Sequence, residues 1–95
     1  MPRLLFLWQL LRVAIRSMTI QPGIYRHYKG REYRVIGTAQ HSETEECLVV
    51  YQALYGDYGL WVRPLGMFCE TVQVNDEQIV RFALVSPEPP TFTRP

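Results

Sequence analysis

Residues 47–55 read CLVVYQALY. Apolar or aromatic side chains stand on both alternating faces of this run, the pattern of a strand flanked on both sides rather than one exposed at an edge. Such a strand needs partners, and the flanking sequence supplies them. Upstream, Ile24–Lys29 and Glu32–Gln40 alternate with the short period of strands, and Gly30-Arg31 between them reads as a tight hairpin turn. If the turn lies there, His27 faces Arg34 or Val35. The polar run His41–Glu46 is a loop. Downstream, Gly56-Asp57-Tyr58-Gly59 turns the chain into Leu60–Arg63, and Pro64 ends that strand, with Pro64–Phe68 expected as one helical turn. Glu70–Val74 and Ile79–Val85 read as a second hairpin around Asn75–Gln78.

These segments define a mainly β domain: a small SH3-like barrel or roll of five to six short antiparallel strands, closure being the way such folds remove exposed edges. Its core is expected to hold Tyr33, Val35, Ile36, Val49, Val50, Leu54, Leu60, Val62, Phe68, Val72, Phe82 and Leu84. The domain spans residues 19–85. The following SPEPPTFTRP (86–95) has four prolines in ten residues, which favours an extended tail.

Residues 1–18 form a separate hydrophobic segment. Its uninterrupted apolar run, Leu4–Trp8, is far short of the roughly 20 residues a spanning helix needs. Three readings stand: Met18 as the natural start, an amphipathic helix for a membrane surface or partner groove, and a signal peptide lacking a small-residue cleavage site. On the helical reading, Leu4, Leu7, Trp8, Leu11, Ala14 and Ile15 share one side, with Gln9, Arg12 and Arg16 on the other. Membrane contact is therefore expected only through this segment.

The formal charge of +1 is unevenly spread. Arg3, Arg12 and Arg16 lie in the leader, so residues 19–95 carry seven basic against nine acidic side chains, a net of −2. A net-acidic domain lacks the broad basic footprint that duplex DNA requires. The two cysteines, Cys47 and Cys69, have no CxxC spacing, and read as reduced packing residues of a cytoplasmic protein. No phosphate-cradling glycine loop, helix-borne zinc motif or opposed carboxylate pair is present, so neither a cofactor nor a metal is expected. A domain of this size has little room for both a packed interior and a deep catalytic cleft.

Two segments concentrate chemistry. His41-Ser42-Glu43-Thr44 offers hydroxyls to donate, a carboxylate to accept and an imidazole that titrates near neutrality. Ser and Thr also bond neighbouring backbone in turns, so the same residues suit a purely structural loop. In Leu60-Trp61-Val62-Arg63, alternation places Leu60 and Val62 on one face and Trp61 and Arg63 on the other. With the aliphatic pair in the core, Trp61 and Arg63 would present an aromatic plane beside a guanidinium, suited to stacking a ring and holding an anion. Alternatively Trp61 caps the core and Arg63 pairs with Glu43 or Glu70.

The string from Gly23 to Phe82 resembles a bacterial family known as domain of unknown function 1653, through the pattern GxYxHYKG, HSETxE, VVYxxLYG, WVRPxxMF and a terminal RF. Val80 stands where that pattern usually has proline. The resemblance implies a compact cytoplasmic bacterial domain and supplies no activity. The expected function is a non-catalytic recognition module. Its site would combine Trp61, Arg63, His27, Tyr28 and Lys29 with His41, Ser42, Glu43 and Thr44. The ligand would be small and anionic or aromatic, nucleotide-like, or a short single-stranded nucleic-acid or peptide segment. Two alternatives differ in class: a small hydrolase or transferase using Glu43 as base and His41 as acid or orienter, and a structural subunit whose tyrosine-rich face binds protein.

Overall fold

A computed structural model of the chain describes residues 19–90, so the readings of the leader and of the last five residues lie outside the described part. The elements run β1 (Gly23–His27), β2 (Glu32–Gln40), β3 (Cys47–Ala53), β4 (Leu60–Pro64), α1 (Leu65–Phe68), β5 (Thr71–Val74), β6 (Glu77–Val80) and β7 (Phe82–Pro87). Five strands form one antiparallel sheet in the order β4-β3-β2-β1-β7, and β5 and β6 pair as a separate hairpin. The fold is mainly β, with seven described strands rather than five or six. It does not close into a barrel: β4 and β7 lie at opposite ends of the strand order and do not pair.

β3 is paired on both sides, as the sequence reading expects, although β2 rather than β3 is the middle strand; the bounds of β2 and the loop after it also follow that reading. The β1–β2 turn does not. Tyr25 faces Tyr33 and Arg26 faces Glu32, while the His27 N–H donates to the Arg31 carbonyl at 2.8 Å. The loop is therefore Tyr28-Lys29-Gly30, with Gly30 at φ 108°, and His27 lies opposite Arg31 rather than Arg34 or Val35. Glycine is required there because this φ penalises any side chain.

The second hairpin also differs. Asn75 and Asp76 both have positive φ, 49° and 65°, as a two-residue type I′ turn demands. The chain then breaks at Arg81, and what reads as one strand, Ile79–Val85, is two. β6 returns along β5, whereas β7 crosses to pair with β1, extending to Pro87 opposite Gly23. The start of the proline-rich tail is thus held in the sheet. Glu88 N–H donates to the Pro22 carbonyl at 3.0 Å, and the Glu88 carboxylate meets Arg34 at 3.1 Å. This pairing explains Gly23, where a Cβ would lie 2.2 Å from the Ser86 carbonyl oxygen and φ is 145°.

Directly paired residues share a sheet face. Val35, Tyr51 and Trp61 are therefore in register on one face, with Val49 and Arg63 beside them. That face holds the core: Tyr25, Val35, Val49, Tyr51, Leu65, Phe68 and Phe82 are all buried. The α1 turn covers it. Pro64 starts the turn from an extended conformation, and Leu65 and Phe68, three residues apart, both point inward. Leu60 and Val62 belong to the other face and are 65% and 58% exposed, and Leu84 is 45% exposed, so these three core assignments are corrected. Tyr25 and Tyr51 instead fill the core, where their large rings supply area that a thin, single-sheet interior needs.

Candidate functional site

Phe82 organises the candidate face. It opens β7, directly opposite His27 of β1. Its ring stacks on Phe68 at 4.1 Å with 4° between the planes, and meets His27, Tyr33 and Tyr51 edge-on at 4.9, 5.6 and 6.0 Å. Because Arg63 is on the core-side phase of β4, its guanidinium carbon reaches to 5.5 Å from the Phe82 centroid. Among the described residues no carboxylate pairs with Arg63. Glu70 is committed to Arg81 at 3.4 Å, so the alternative pairing of Arg63 with Glu43 or Glu70 is not what is found. Trp61, two residues along the same face, is 59% exposed at the sheet edge.

The β1–β2 turn adds to this group. His27 and Tyr28 rings lie 4.6 Å apart, and Lys29 Nζ is 5.7 Å from the Tyr28 centroid. His27 Nδ1 accepts the Lys29 N–H at 3.2 Å, which leaves Nε2–H as the donor of the neutral ring. Burial, and then the charges of Arg81, Lys29 and Arg63, hold its pKa below the usual histidine value. On the adjoining side, Tyr33 and Tyr55 share a hydroxyl hydrogen bond of 2.8 Å, and Arg31 lies 4.2 Å from the Tyr55 ring. Burial and that bond push Tyr33 up to about 12.

The His41–Thr44 turn sits at the other end of β2 and is occupied with itself. His41 Nδ1 accepts the N–H groups of Glu43 and Thr44 at 3.1 and 3.3 Å. The Thr44 hydroxyl accepts the Glu46 N–H at 3.2 Å, and Glu45 N–H donates to the His41 carbonyl at 2.8 Å. No hydrogen bond or ion pair joins His41, Ser42, Glu43 or Thr44 to His27, Trp61 or Arg63 among the described residues. The fold thus gathers His27, Tyr28, Lys29 and Arg63 around Phe82 and sets Trp61 on the same face, while the polar loop stands apart. The sequence does not single out Arg31 or Arg81 as site residues, and it marks Phe82 only as core. The RF pair at 81–82 was visible as a motif, but its role depends on the long-range pairing of β7 with β1.

Among the described residues no group of three or more His, Cys, Asp or Glu is placed to hold a metal ion. No disulfide joins Cys47 and Cys69, and no described helix is long and apolar enough to cross a membrane.

An open antiparallel sheet with an aromatic, cation-bearing inner face describes a small β domain of a definite class. The chain belongs to the family described as protein of unknown function (DUF1653), whose model matches residues 23–84. It is similar to a protein of that family from Bordetella bronchiseptica, known from a crystal structure. The two are 38% identical with a TM-score of 0.67, over 80% of this chain and 97% of the other. No curated protein matches the chain.

Proposed function

We propose that the chain is a non-catalytic recognition module of the cytoplasm that binds a small anionic or aromatic, nucleotide-like ligand on the face around Phe82. A short single-stranded or peptide segment carrying the same groups would be recognised in the same way. The observation that carries this reading is Arg63: a guanidinium over an aromatic ring, with no carboxylate partner among the described residues, on the same face as an exposed Trp61. Arginine is suited to this because its planar fork both stacks on rings and binds oxyanions through paired hydrogen bonds. Tyr28 and Lys29 extend the surface from the adjacent turn, and the His27 Nε2–H adds a neutral donor.

Ser42, Glu43 and Thr44 enter this reading only if a ligand reaches from the Phe82 face to the far end of β2. The hydrolase reading gains no support from His41, whose Nδ1 is engaged by two backbone N–H groups. A protein-interaction role is favoured by one separate feature, the exposed run Leu60, Trp61 and Val62 on edge strand β4.

The test is a thermal-shift screen of the full chain against nucleotides, oligonucleotides and common metabolites. A compound that raises the melting temperature, and loses that effect in Trp61→Ala and Arg63→Ala with folding intact, is the expected result. A stable fold that no compound shifts sinks this reading and makes partner pull-down through β4 the next experiment.

A further inference from the structure

Three cations converge on one end of this face. Arg63 reaches Phe82 from β4. Lys29 lies in the turn after His27, over the Tyr28 ring. Arg81 immediately precedes Phe82, and its carbonyl accepts the Tyr28 N–H at 2.9 Å, which ties it to the same turn. The Arg81 Nε is buried and meets no acceptor among the described residues. A buried donor of that kind costs free energy until an acceptor satisfies it.

The charges do not balance. Among the described residues Glu70 is the one carboxylate within ion-pair distance of this group, at 3.4 Å from Arg81, so three cations face one anion and a local charge of about +2 is left there. A phosphate monoester carries about −1.5 to −2 at neutral pH, whereas a carboxylate carries −1. Two guanidinium forks, an ammonium and a neutral imidazole N–H also suit a group with three acceptor oxygens better than one with two. Burial first, and then the charges of Arg81, Lys29 and Arg63, disfavour a proton on His27, and those same charges draw an anion in.

We propose that His27, Lys29, Arg63 and Arg81 form a phosphomonoester subsite beside Phe82, with the ligand's ring carried toward Trp61 and Tyr28. This rests on the recognition reading above and specifies its ligand as a small phosphorylated molecule. Arg81 is assigned as a phosphate contact through the exposed part of its side chain, which is 26% accessible, its Nε being covered by protein.

Calorimetric titration of the full chain at low salt with inorganic phosphate, adenosine and adenosine monophosphate tests the assignment. The monophosphate is expected to bind at least about tenfold more tightly than adenosine, and inorganic phosphate to compete with it. Arg81→Gln and Lys29→Gln are each expected to weaken the monophosphate by about tenfold and adenosine by much less. Lys29 is exposed, so its variant stays informative if the Arg81 substitution disturbs folding. Equal affinity for adenosine and its monophosphate, or an unaltered monophosphate affinity in Lys29→Gln, overturns the subsite. If adenosine binding still depends on Trp61 in that case, the recognition reading survives. Absence of binding by both phosphate ligands at millimolar concentration also overturns the subsite, and the thermal-shift screen then decides the recognition reading alone.

Discussion

Replacing Phe82 with alanine should remove a large share of the stability of this domain. The ring is 8% exposed and touches four other rings, with the closest contact a parallel stack on Phe68 at 4.1 Å. Truncating a buried phenylalanine to alanine costs about 3–5 kcal/mol in transfer and cavity terms. A domain of this length holds roughly 4–10 kcal/mol in total, at about 0.05–0.15 kcal/mol per residue. The α1 turn that covers this face is four residues long and offers little that could collapse into the void, which places the cost toward the upper end. Phe82→Leu refills much of the volume but forfeits the ring contacts, each worth about 0.5–1.5 kcal/mol beyond area, and should cost about 1–3 kcal/mol. Urea unfolding followed by far-UV circular dichroism reads both. With a slope near 1 kcal/mol per molar, Phe82→Ala should lower the midpoint by about 3 M or more and Phe82→Leu by about 1–3 M. A Phe82→Ala midpoint within about 1 M of the parent would refute the claim that this ring organises the core and the site.

Gly23→Ala should destabilise by at least about 2 kcal/mol, because positive φ and a collision with the Ser86 carbonyl act together; the same urea assay checks it. His41→Ala removes the acceptor for two turn N–H groups and should cost about 1 kcal/mol, by analogy with loss of a helix N-cap, with no loss of ligand binding. Tyr33 has a folded pKa of about 12 against 10.0 unfolded, so the folded state retains its proton longer. Its contribution is complete below pH 10 and is lost as pH rises from 10 through about 12, a decline in midpoint that Tyr33→Phe should flatten.

Local signals carried much of the fold. The bounds of β2, the 41–46 loop and the turn after Pro64 are marked by turn residues and by strict alternation, which act within a few residues. The phase of β4 is not local. Leu60 and Val62 are the more hydrophobic pair, yet Trp61 and Arg63 share the core face because their partners across the ladder are Tyr51 and Val49. At an edge strand of a one-sided sheet, pairing decides which face is inner, and an aliphatic pair is left exposed. The division between β6 and β7 is non-local for a related reason. The run IVRFALV has no glycine or proline to mark a break, and only the separate pairing partners of its two halves divide it at Arg81.

The candidate site divided along the same line. Trp61 and Arg63 on one face, and the clustering of His27, Tyr28 and Lys29, were legible from alternation and proximity in sequence. Phe82 joins them because β7 lies opposite β1 across nearly the whole length of the domain, which no spacing rule reveals. The polar run from His41 to Thr44 looked chemical from its composition, and the hydrogen bonds show most of that polarity closing its own turn.

The most direct test of the central claim, that the Phe82 face is the recognition surface, is amide chemical-shift mapping of the full chain titrated with adenosine monophosphate. Saturable shifts are expected, confined to Tyr28, Lys29, Trp61, Arg63, Arg81, Phe82 and their neighbours, with the His41–Glu46 turn unmoved. Shifts centred on that turn, or none at millimolar ligand, would contradict the claim.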